Sequence, residues 1–147
     1  MNKGSIRTFG ILAMVLAGFL LSGCVPGGMA DGTARIVVTT NILGDVTKNL
    51  VGGAAEVSTL MKPNADPHSF EISAREASQL SHADLLVSNG MGLEEGLEQH
   101  LESTAASGTR RFVAGDHLEP IAYDPEAGNN APDPHFWTDP ARMLDVI

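Results

Sequence analysis

Short β-branched runs alternate along this chain with helix-length amphipathic stretches, and that alternation admits few folds. Order is expected from Arg35, where Ile36-Val37-Val38-Thr39 reads as a strand buried within a parallel sheet. A helix is expected from about Leu43 to Leu50, stopped by Gly52-Gly53. Val57 to Met61 is the next strand. Ser73-Ala74-Arg75-Glu76 fits the capping box S-x-x-E and starts a helix to about Ser81. Asp84 to Ser88 is a third strand, closed by Asn89-Gly90. Leu93, Leu97 and Leu101 stand at i, i+4 spacing and mark an amphipathic helix to about Ala106, its glutamates reading as a solvated face. Arg111 to Ala114 is a fourth strand. This order gives parallel βαβ units, hence an α/β lobe in which helices flank a parallel sheet. Glu119 to Pro134, rich in Pro, Gly, Asn and acids, reads as a surface loop. Asp139-Pro140 opens a last helix as N-cap and N1, with barely two turns before Ile147, so the chain is expected to be a fragment.

The start of the chain has the layout of an export signal. Lys3 and Arg7 precede an apolar run from Phe9 to Leu21, about 13 residues long. A bilayer-spanning helix needs about 20. Leu21-Ser22-Gly23-Cys24 follows and resembles the bacterial lipobox, in which small residues precede a cysteine that is lipidated and becomes the mature N-terminus. Residues 1–23 are accordingly expected to be a signal peptide, Cys24 the lipid anchor, and residues 24–34 a flexible, Gly-rich tether. Cys24 is the single cysteine, which excludes an intramolecular disulfide framework. The expected location is the extracytoplasmic face of a bacterial cell membrane. The formal net charge is −9, and removing the signal takes away Lys3 and Arg7 but no acid. That balance argues against nucleic acid as a partner and suits a surface attractive to cations at long range.

One triplet occurs twice, as Asp66-Pro67-His68 and Asp133-Pro134-His135. With eight prolines and five histidines in the chain, chance gives about 0.02 such triplets, so the repetition is a signal. Proline locks its own φ and pushes the preceding Asp into an extended conformation. The histidine after it is presented from a stiff segment, which lowers the entropy lost when the imidazole is fixed on an ion. Imidazole nitrogen suits zinc, manganese, iron, copper or nickel. The two histidines meet only if two loops come together, as loops do at the carboxyl edge of an open α/β sheet. His68 and His135 are therefore the candidate metal ligands. Asp66, Glu71 and Asp133 are candidate supporting carboxylates, although Glu71 reads rather as an ordinary helix-start acid. His82, His100 and His117 lack the triplet context and read as ordinary side chains. Phe136 and Trp137 read as packing that seats the His135 loop. The chain has no H-E-x-x-H, no G-x-S-x-G and no nucleophile beside a base. A binding protein without catalysis is the main reading, and an exported metallohydrolase is its rival.

The segments Asn64-Ala65-Asp66-Pro67-His68-Ser69-Phe70-Glu71 and Asp133-Pro134-His135-Phe136-Trp137-Thr138-Asp139-Pro140 resemble the two N-lobe metal motifs of the zinc/manganese substrate-binding lipoproteins of ABC importers. Thr39-Thr40-Asn41-Ile42-Leu43-Gly44-Asp45 and Asn89-Gly90-Met91-Gly92-Leu93-Glu94 are similar to the same family, in the same order. The resemblance implies that residues 35–147 are the N-terminal lobe of a two-lobe, periplasmic-binding-protein-like fold. The C-terminal lobe and the long helix that links the lobes are absent from this chain. It implies that His68 and His135 are two of usually four ligands to a transported ion, with zinc ahead of manganese. It also implies a monomeric receptor whose partner is an ABC importer permease; an adhesive role of the same family is a further alternative. Zinc members often carry a His-rich loop between the two motifs, and the matching segment Glu119 to Asp133 has no histidine.

Overall fold

The computed structural model describes residues 32–147 apart from Pro125 and Ala127. The signal peptide, Cys24 and most of the tether lie outside the described residues.

Four strands, β1 (Ala34–Val38), β2 (Ala55–Thr59), β3 (Leu85–Ser88) and β4 (Arg110–Val113), form one sheet in the order β2-β1-β3-β4. Every pairing is parallel, with Ile36 opposite Val57 on one side and Leu85 on the other. Ala34 therefore belongs to β1 and not to the tether. Helices α1 (Asn41–Val51), α2 (Ala74–Ser81) and α3 (Glu98–Ala106) supply the crossovers, and a short α4 (Pro140–Leu144) follows.

Strand β1 is buried on both faces, as its β-branched run requires. Ile36 and Val38 pack with Leu43 of α1 and with Val87, Phe136 and Met143. Val37 faces the other way, into Leu80, Leu86, Leu97 and Leu101. Helices of eight or nine residues are marginal alone in water. A fully buried leucine contributes about 1.5–3 kcal/mol, so Leu80 and Leu101, at 2% and 0% exposure, hold α2 and α3 against the sheet. The caps at Ser73 and Asp139 are those the sequence signals, and the one at Thr40 is not among them. Thr40 caps α1 through Leu43 N; Ser73 and Glu76 close the reciprocal box at α2; the Asp139 carboxylate accepts from Ala141 N at α4.

Two expectations fail. The helix expected from Leu93 begins only at Glu98, and residues 91–97 run as successive turns. Met91 and Gly92 adopt positive φ of 56° and 78°, which no helix tolerates. The Phe70 carbonyl also lies where a Cβ on Gly96 would come within 2.4 Å, so this turn is seated against the loop after β2. Leu93, Leu97 and Leu101 are nonetheless all buried, but Glu94 is not on a solvated face: it is 2% exposed. Secondly, the segment read as a loop contains an antiparallel hairpin, β5 (Ala122–Asp124) with β6 (Asn129–Pro132), closed at its base by Asp133 N donating to Ile121 O. Backbone pairing makes this hairpin, which is why its side-chain composition conceals it.

Candidate metal centre

The His68 loop leaves the carboxyl end of β2 in the parallel sheet, and the His135 loop is reached through the separate β5-β6 hairpin. His68 lies in the segment between β2 and α2, and His135 follows β6, at the start of a 3-10 turn over Phe136–Thr138. The two imidazole centroids are 5.6 Å apart, with planes tilted by 54°. An ion at about 2.0–2.1 Å from nitrogen stands about 3.2 Å from a ring centroid, so two imidazoles on one tetrahedral ion have centroids about 5–6 Å apart. The observed separation falls in that range. His68 is exposed and His135 half-buried, so the pair faces solvent on one side. Phe136, 3% exposed, is rooted in the core beside Val38, and Trp137 meets His135 edge-on at 5.3 Å. These aromatic residues do seat the loop, as expected. Tyr123 of the hairpin brings a third ring to 6.0 Å from His135.

The two triplets share one backbone device. Asp66 Oδ1 accepts from His68 N at 3.0 Å, and Asp133 Oδ1 accepts from His135 N at 2.9 Å. Each aspartate thus folds over its proline and fixes the residue after it. Beyond that they differ. Asp66 Oδ2 takes the Ser69 hydroxyl at 2.9 Å, whereas Asp133 Oδ1 also lies 2.7 Å from His135 Nδ1. The Ser69 hydroxyl and then the His68 N–H hold the Asp66 carboxyl below the usual carboxylate range. For Asp133 the first cause is the His135 N–H, reinforced by the imidazole. With Nδ1 engaged by Asp133, His135 has Nε2 left for a ligand.

A support not foreseen from the sequence stands behind His135. Asn89, the residue after β3 and 0% exposed, donates through Nδ2 to the Pro134 carbonyl at 3.0 Å. Asn89 is itself held by the buried Glu94. The sequence hints at it through the family-like segment Asn89 to Glu94, whose Gly90 and Gly92 delay the helix and free Glu94 to turn back.

The remaining candidates lie apart from the pair. Glu71 is exposed and forms no hydrogen bond to either histidine among the described residues. The acid that starts α2 is Glu76. His82 Nδ1 lies 2.7 Å from the Ser78 carbonyl, His117 stacks on Phe112 at 4.6 Å, and His100 is exposed on α3. Among the described residues no three His, Cys, Asp or Glu side chains converge. The arrangement offers two ligands from one side.

Residues 36–147 match the profile of the family described as zinc-uptake complex component A, periplasmic. The chain is 32% identical over 113 residues to the iron-binding protein YfeA of Yersinia pestis, covering 77% of this chain and 36% of that protein. It is 30% identical over 132 residues to the manganese-binding lipoprotein MntA of Bacillus subtilis, covering 87% and 43%. Among solved structures, a manganese-bound periplasmic metal-binding protein from Candidatus Liberibacter asiaticus superposes with a TM-score of 0.69 at 26% identity, over 77% of this chain and 41% of the other. The chain therefore spans less than half the length of these relatives. Its parallel sheet and flanking helices form the N-terminal lobe of their two-lobe fold. The chain belongs to the zinc-uptake complex component A family.

Proposed function

We propose that His68 and His135 are two ligands of a single divalent transition-metal ion. The whole protein would then be an extracytoplasmic receptor that captures this ion and delivers it to the permease of an ABC importer. The observation that carries the proposal is the 5.6 Å separation of two imidazoles drawn from loops far apart in sequence. Asp133 orients the second imidazole through Nδ1, and Asp66 stiffens the first from its backbone. The ion is cargo, so the site binds and releases; the coordination shell is completed by protein groups, not by a reactive water. Zinc, in keeping with the family's description, is the preferred cargo, and manganese is next. Cys24 carries a lipid that keeps the receptor at the membrane surface, a reading supported by the Leu-Ser-Gly-Cys sequence and by the lipoprotein name of MntA. Among the described residues no helix is long and apolar enough to cross a membrane. Cys24→Ala should abolish lipid labelling and detergent partitioning; retained labelling would refute the anchor.

The test of the site is the thermal shift produced by zinc, which grows as RT ln(1 + [L]/Kd). His68→Ala and His135→Ala should each remove most of it, and His100→Ala should leave it intact. A full shift in His135→Ala would overturn the assignment.

A further inference from the structure

Glu94 is the one carboxylate buried among the described residues. Its Oε1 accepts from Thr39 Oγ1 and from Asn89 N, both at 2.6 Å, and its Oε2 accepts from Gly90 N at 3.0 Å. Thr39 and Asn89 are the residues immediately after β1 and β3. From these neighbouring strands the chain departs in opposite directions, to β2 and to β4, the place where open α/β sheets leave a crevice for ligands. Here one side chain ties the two strand ends together. Among the described residues Glu94 forms no ion pair, and an unpaired buried carboxylate is a costly way to brace two strands, unless the fixed geometry is itself needed. The brace leads straight to the site. Asn89, its backbone held by Glu94, donates to the carbonyl of Pro134, the residue before His135.

We propose that Glu94 and Asn89 are positioning residues for the second imidazole. Glu94 fixes the turn after β3, Asn89 carries that position to Pro134, and His135 is preset before an ion arrives. The inference rests on the two-imidazole reading above. It differs from the role of Asp133, which acts on the imidazole directly. Its selectivity is the testable part: the Asn89–Pro134 bond reaches only the His135 loop, whereas the His68 loop is braced by Asp66 and Ser69, so loss of that bond should move His135 and not His68.

The experiment uses the 147-residue chain with Asn89→Asp and Glu94→Gln. The first removes the donor to Pro134 at constant shape; the second presents an amide N–H to donors that now meet a carboxylate. Leu101→Val, in the core on the far side of the sheet, serves as a comparison of reduced stability. Imidazole signals are recorded by ¹⁵N NMR without metal, and zinc affinity is measured with a competing chelator. Asn89→Asp should shift or broaden the His135 signals, leave those of His68 in place, and weaken zinc binding about tenfold or more; Glu94→Gln should likewise move the His135 signals and weaken binding. Leu101→Val should do neither. If Glu94→Gln does not fold, Asn89→Asp alone decides. Unchanged His135 signals in Asn89→Asp, or equal effects in Leu101→Val, would overturn the positioning role. A parent chain whose imidazoles ignore zinc would overturn the reading beneath it, a failure visible separately from the metal-free spectra.

Discussion

Asp133 Oδ1 lies 2.7 Å from His135 Nδ1, and this contact is what separates two triplets that are identical in sequence. Asp66 makes the same bond to its histidine's backbone N–H, then turns its other oxygen to Ser69. Asp133→Asn should therefore weaken zinc affinity about tenfold to a hundredfold, as loss of an imidazole's orienting partner does. Asp66→Asn should weaken it less, because its bonds act on the backbone. Chelator competition on the two variants checks the order. Equal losses would show that both carboxylates act only through the loop.

The box at the start of α2 makes a prediction about stability. Ser73 Oγ and the Ser73 N–H both bond Glu76, and the Ser73 hydroxyl followed by its N–H holds the Glu76 carboxyl below the usual range. The folded chain thus prefers the ionised form. Its contribution is complete above the unfolded glutamate value and is lost as pH falls through the lowered folded value. Ser73→Ala should cost about 1 kcal/mol at neutral pH, and the difference from the parent should shrink in acid. Urea unfolding at both pH values measures this. A pH-independent difference would contradict it.

Gly96 separates close approach from mere flexibility. A Cβ there meets Phe70 O at 2.4 Å, whereas a Cβ on Gly53 meets nothing within 4 Å. Gly96→Ala should destabilise by about 1–3 kcal/mol, the usual range for overpacking. Gly53→Ala should be close to neutral. Because Phe70 stands two residues after His68, Gly96→Ala should also disturb the first imidazole, which ¹⁵N NMR would register.

What was legible in the sequence is what is written locally. The aliphatic run of β1, the box at Ser73 and the Asp139-Pro140 start each encode their outcome within a few residues, and all appear where expected. The leucine stripe at 93, 97 and 101 identifies a buried face but not a helix start, because burial of the stripe is compatible with turns over its first half. Glu94 occupies what spacing alone makes a polar face; its donors are the nearby backbone of Asn89 and Gly90 and the distant Thr39, which only the fold brings to it. The hairpin from Ala122 to Pro132 is held by backbone pairing among polar residues, so no apolar period announces it. For the site, repetition of Asp-Pro-His names His68 and His135 as candidates, and the fold brings their rings to 5.6 Å. The Nδ1 contact that distinguishes them depends on how each loop is anchored, and that is a tertiary property.

The central claim is that His68 and His135 serve one ion. The most direct measurement is a zinc titration of the isotopically labelled chain, following both imidazoles by ¹⁵N NMR. The two rings should respond together and saturate at one equivalent of zinc, with His135 bound through Nε2 and His82, His100 and His117 unmoved at that point. Independent saturation of His68 and His135, or a response from only one of them, would contradict the account.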